Sequence, residues 1–156
     1  MGSSPALAVR QDLHRLSELV LPQPQSVRAA RVFATSIVHD WRISPDLIDD
    51  IVMMASELAT NAVTALEKAG LPHPIRFVAD LTGGWFRFGV WDCDPGFPAP
   101  RAAKANEEGG RGLALVAPLD FRLEVYAQKS DCDRCASSSC RGKLVSVSRR
   151  ITLQTD

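Results

Sequence analysis

The chain has 156 residues, 46% of them hydrophobic and 23% charged, which is the balance of one soluble globular domain long enough to bury a core. Lys+Arg and Asp+Glu are equal at 18 each, so the basic footprint of a nucleic-acid binder or of a protein held on anionic membranes is excluded. No apolar run approaches the ~20 residues needed to span a bilayer, and Met1-Gly2-Ser3-Ser4-Pro5 lacks the charged-then-apolar order of a signal peptide; the expected location is cytoplasmic.

Residues 1–16 are polar and mixed, and read as a flexible leader ahead of one domain over 17–153. Leu19-Val20-Leu21 predicts a short strand before the Pro22-Gln23-Pro24 break. Ser26 reads as a helix N-cap, followed by Val27, Ala30, Ala34, Ile37, Val38 and Trp41 at helical spacing. Ser44-Pro45-Asp46 is a stronger start signal, with a capping residue before a proline and acids in the first turn. The helix it opens runs from about Pro45 to Ala69. Its apolar stripe includes Ile51, Ala55, Leu58, Ala62 and Leu66, and Gly70 closes it.

Past Pro74 the apolar period changes from helical to alternating. Ile75 to Leu81 and Trp85 to Trp91 predict strands joined at Thr82-Gly83-Gly84, a tight-turn signal. Residues 93–109 make the longest candidate loop. Pro118 limits the next helix to Leu113–Ala117, and Phe121–Ala127 and Lys143–Thr152 predict two closing strands. The expected fold is an α+β two-layer sandwich, with helices on one face of a mixed, mostly antiparallel sheet.

Three short stretches carry chemistry. Glu57 and Asn61 lie one helical turn apart, about 40° around the axis, so they point the same way. An Asn carbonyl is a hard donor suited to Mg²⁺ on phosphates, and a carboxylate beside it can take a proton from an attacking hydroxyl. The same two residues could also share a solvated face with Asp46, Asp50 and Lys68. Asp92 follows Phe86, Phe88 and Val90 on one face of its strand, where a carboxylate requires a partner. An adenine amino group would be such a partner; capping of the Asp94-Pro95-Gly96 turn is the other reading. Gly110-Arg111-Gly112 before a helix can cradle phosphates through backbone N–H groups, with Arg111 either on a terminal phosphate or in water.

Taken together, Val27-Arg28-Ala29-Ala30-Arg31, Ser56-Glu57-Leu58-Ala59-Thr60-Asn61-Ala62-Val63 and Gly110-Arg111-Gly112-Leu113 resemble the histidine-kinase-like (GHKL) ATPase superfamily. The similarity is greatest to bacterial anti-sigma-factor serine kinases and their single-domain relatives, over about Leu21 to Val147. The resemblance implies that Glu57 is the catalytic base, that Asn61 holds Mg²⁺ and that Asp92 reads the adenine amino group of ATP. It also implies that Gly96, Gly110 and Gly112, with Arg111 and Leu113, shape the nucleotide loop. A sigma factor and an antagonist phosphorylated on Ser or Thr are the implied partners, and a homodimer is compatible with it. The alternative is an ATP-binding anti-sigma or partner-binding module without significant turnover. Three departures stand out: Asp94 in place of a glycine, Leu144 where the family often has a Thr supporting the adenine-reading Asp, and Pro118 after the glycine loop.

Cys132, Cys135 and Cys140 fall outside the resemblance. Cys-x2-Cys-x4-Cys supplies three soft ligands where Zn²⁺ usually takes four, with Asp131, Asp133, His73 or Cys93 as candidates for the fourth. A polar hairpin loop carrying reactive thiols is the other reading.

Overall fold

Among the described residues, two helices and five strands follow one another as β1 (His14–Val20), α1 (Gln25–Asp40), α2 (Ile48–Ala69), β2 (Ile75–Thr82), β3 (Trp85–Asp92), β4 (Arg122–Ser130) and β5 (Cys140–Arg150). The computed structural model describes residues 14–20, 23–70, 73–93, 116, 118–130 and 140–154. The strands form one sheet in the order β1-β2-β3-β5-β4. Every described pairing is antiparallel, where a mixed sheet was expected. The architecture is the expected α+β two-layer sandwich.

β1 begins at His14, five residues ahead of the Leu19 start expected from the sequence, and takes in the end of the expected leader. It is an edge strand paired along the whole of Ile75–Leu81. Edge strands tolerate polar residues, so alternation marks them poorly. α1 starts at Gln25, and Ser26 lies buried in its first turn instead of capping it. The Ser26 hydroxyl reaches back and accepts the Gln23 N–H at 3.1 Å.

Both helices end in left-handed turns. Arg42 (φ 56) closes α1, with Arg42 N–H donating to His39 and Ile43 N–H to Val38, the paired bonds of a Schellman cap. Gly70 (φ 66) closes α2 as expected. Pro45–Leu47 form a 3-10 turn, so regular α-helix begins at Ile48 and not at Pro45. In the β2–β3 hairpin Gly83 and Gly84 carry φ of 57 and 78, as a type I′ turn requires.

The core lies between the helices and one sheet face. Ile75, Phe77, Ala79 and Leu81 of β2 alternate inward with Phe86, Phe88 and Val90 of β3 and Val145 and Val147 of β5. Phe33 of α1 meets Phe77 and Phe88 at ring centroid distances of 5.8 and 6.0 Å. Beyond β5 the chain returns to the helix layer: Ser44 N–H donates to Thr152 and Gln154 N–H to Arg42. Arg149 joins the layers by donating to Asp50 at the start of α2 and to the Leu119 carbonyl.

On the opposite sheet face, Trp91 and Leu144 are cross-strand partners and Gly142 is the next residue of β5 in that phase. A Cβ at Gly142 would overlap the Asp92 carbonyl oxygen and stand 2.7 Å from Trp91 Cζ2. At Gly89 the nearest atom is Leu144 Cδ1, at 2.9 Å, which can rotate away. Gly142→Ala is therefore expected to cost ~1–3 kcal/mol, the usual cost of overpacking, and clearly more than Gly89→Ala. Urea unfolding of both variants checks this; a costlier Gly89→Ala would contradict the tight seat of Trp91.

Candidate functional site

The inner face of β3 runs Phe86, Phe88, Val90 and then Asp92, so a carboxylate ends an apolar column beneath the helix layer. Asp92 is directly opposite Lys143 of β5, in phase with Val145 and Val147. Lys143 Nζ donates to Asp92 Oδ1 at 2.9 Å, with 4% of the lysine side chain and 1% of the aspartate side chain exposed. This is a buried, hydrogen-bonded ion pair. Removal of either partner leaves the other charged group in a place that cannot hydrate it.

The residue beside Asp92 is thus Lys143 and not Leu144, which points to the opposite face and packs over Gly89. Sequence reasoning on the supporting Thr position missed this. The available signal was a lysine in strict alternation with two valines in a predicted strand, a polar residue in an apolar phase. Without the β3–β5 register, nothing in the sequence names its partner.

α2 packs across β3 and β5. Glu57 and Asn61 lie half-buried on it. The surrounding polar positions differ in kind: Asp46 and Lys68 are exposed, while Asp50 is half-buried and engaged by Arg149 at 3.2 Å. One turn of α2 beside Glu57 is tied to α1. Arg31 Nε donates to Ser56 Oγ at 2.8 Å, Ser56 Oγ donates to the Val52 carbonyl and Thr60 Oγ1 to the Ser56 carbonyl. Since Ser56 and Glu57 are consecutive, this tie limits how far the Glu57 backbone can shift.

Gly96, Gly110, Arg111, Gly112 and Leu113 lie outside the described residues, as do Asp94, Cys132 and Cys135. Cys140 opens β5, and Cys93 is a buried cysteine next to Asp92. Among the described residues no group of three or more His, Cys, Asp and Glu is placed to hold a metal ion, so the zinc expectation gains no support. No helix of the described residues is long and apolar enough to cross a membrane.

The two-layer α+β domain sets a buried Asp at the end of an inner strand and a Glu–Asn pair on the covering helix. The chain belongs to the family of the histidine kinase-like ATPase domain, whose model matches residues 20–131. ATP binding, typically with Mg²⁺, is the general property that membership brings. Comparison with curated proteins gives no match.

Asp92→Asn and Lys143→Met are each expected to cost about 3–5 kcal/mol of stability, because each strands a buried charge. The double variant should cost less than the sum of the two, by more than ~1 kcal/mol. Chemical denaturation of the four proteins completes this cycle. Strict additivity would mean that the two side chains do not depend on each other.

Proposed function

We propose that this protein is an ATP-dependent regulatory kinase of the anti-sigma-factor type, which sequesters a sigma factor and phosphorylates Ser or Thr of an antagonist protein. The observation that carries the nucleotide part is the buried acceptor Asp92 at the end of an inner strand, beneath a helix bearing half-buried Glu57 and Asn61. The partners rest on the resemblance of the three sequence stretches, and a cytoplasmic location goes with them.

The donor set suits the ligand. Asp92 accepts from the adenine amino group, where a guanine would present an acceptor of its own. Asn61 offers a carbonyl oxygen to Mg²⁺, whose remaining ligands come from phosphates and water. Bound Mg²⁺ would neutralise charge on the transferring phosphoryl group. Glu57 orients the acceptor hydroxyl and takes its proton as the oxygen bonds to the γ-phosphorus and ADP leaves. The Arg31–Ser56 tie holds the Glu57 turn in place during that step.

ATP with Mg²⁺ near 100 times its Kd should stabilise the fold by ~2.7 kcal/mol, a rise in Tm of several degrees, and GTP should do so much less. The absence of any shift at millimolar ATP would remove the nucleotide assignment. Glu57→Gln should leave ATP affinity nearly unchanged and cut phosphotransfer to the antagonist by about 10²–10⁴. Asn61→Ala should instead weaken the Mg²⁺-dependent part of binding. A wild type that binds ATP and partner but transfers no phosphate would identify a partner-binding module without turnover.

A further inference from the structure

Asp92 and Lys143 are nearly free of solvent, 2.9 Å apart, and directly cross-strand. A buried ion pair adds little to stability over a well-packed apolar pair of similar volume, so folding alone does not account for these residues. Nor does the family match reach them both: it covers Asp92 and ends at 131, twelve residues short of Lys143. What the lysine changes is the chemical character of the aspartate. A carboxyl group under a helix layer and without a cation is driven towards its neutral form, which carries an O–H donor besides its acceptors. An ionised carboxylate accepts only.

We propose that Lys143 determines base specificity: it holds Asp92 as an acceptor-only carboxylate, and the site therefore prefers a purine with an amino group at C6 over one with a carbonyl there. This rests on the nucleotide reading above and adds the residue that makes it selective. With the ammonium in place, Asp92 accepts from an amino group and repels a carbonyl oxygen. With the ammonium removed and a proton gained, Asp92 can donate to that carbonyl, and the two purines become comparable ligands. Lys143 is a positioning residue in this scheme, since it acts through Asp92.

Titratable side chains on the surrounding described elements include Asp49, Asp50, Glu57, Glu67 and Lys68 on α2, His73 just ahead of β2, Asp80 on β2 and Cys93 after β3. Each protein is also compared in a His73→Gln background, so that this imidazole does not enter the comparison. Phosphate protonation is common to ATP and GTP and cancels in the ratio of their affinities.

The experiment measures Kd for Mg²⁺-ATP and Mg²⁺-GTP by calorimetry between pH 6 and 9, in wild type, Lys143→Met and Lys143→Arg. In the wild type the GTP/ATP ratio should stay constant across the range. In Lys143→Met it should fall by about tenfold at pH 6, roughly the value of one hydrogen bond in a buried site, and recover as pH rises and Asp92 ionises. Lys143→Arg, which keeps the charge, should retain most of the wild-type ratio. A Lys143→Met ratio equal to wild type at every pH overturns the proposal. A ratio that increases also overturns it, because the lysine would then be contacting the base. If Lys143→Met does not fold, ¹³C NMR of the Asp92 carboxyl in the wild type decides the matter: no titration between pH 5 and 8 is expected, and protonation within that range refutes the charge-holding role. Wild type that binds neither nucleotide brings down the nucleotide reading and this proposal together. Selective binding with an unchanged variant ratio brings down this proposal alone.

Discussion

The pairing of β3 with β5 is the constraint on which the site depends. It sets Asp92 against Lys143 and also sets Phe88 against Val147 and Val90 against Val145. A slip of one residue would invert β5, turning Lys143 to the outer face and bringing Leu144 beneath the helices. The apolar pairs oppose such a slip through burial, and the ion pair opposes it more sharply, because an unpartnered carboxylate would remain inside. Gly142 adds a steric pin: Trp91 lies where a side chain on that residue would be, so only this register seats the indole. The same hydrogen-bonded ladder thus serves core formation and site chemistry, and neither can be altered without the other.

The helix layer is fixed to this sheet at several points. Near its start, α2 is held through Asp50 by Arg149, which also stacks over Phe121 at 5.7 Å and donates to the Leu119 carbonyl. Six residues after Asp50, Arg31 of α1 holds Ser56. Packing of Ile51, Met54, Ala55, Leu58 and Ala62 fills the intervening face. Glu57 and Asn61 therefore project from a segment whose rotation about its own axis is restricted. Side chains that must meet a small ligand gain precision from a rigid element of this kind.

Much of the fold was legible in the sequence because its signals are local. The change from helical to alternating period near Pro74, the Gly83-Gly84 turn and the Gly70 stop each depend on a few adjacent residues, and each appears where the pattern places it. β1 was read too short because its residues alternate weakly and its ladder is set by β2, which lies over fifty residues away. The Arg42 cap was not legible either: a left-handed arginine carries no compositional mark, and the bonds to Val38 and the return of the chain end at Gln154 define it only after folding. That Asp92 would lie on the buried face could be read from strand phase alone, whereas its pairing with Lys143 required knowledge of which strand lies beside β3. Non-local pairing is what a single sequence expresses least.

Electrostatics gives the ion pair a second consequence. On the proposed reading, ATP brings several negative charges to a site that contains Asp92 and Glu57, and two bare carboxylates would oppose its approach. Lys143 cancels the charge of Asp92 within 3 Å, so the base-reading corner contributes a hydrogen-bond acceptor with little net field at the distance of the phosphates. In that proposal Glu57 is the carboxylate left to act as proton acceptor. The two carboxylates differ in burial: Asp92 lies deep and paired with Lys143, while Glu57 is half-exposed. In the proposed roles the deep acid reads the base and the half-exposed one acts on the acceptor hydroxyl, so burial separates the two.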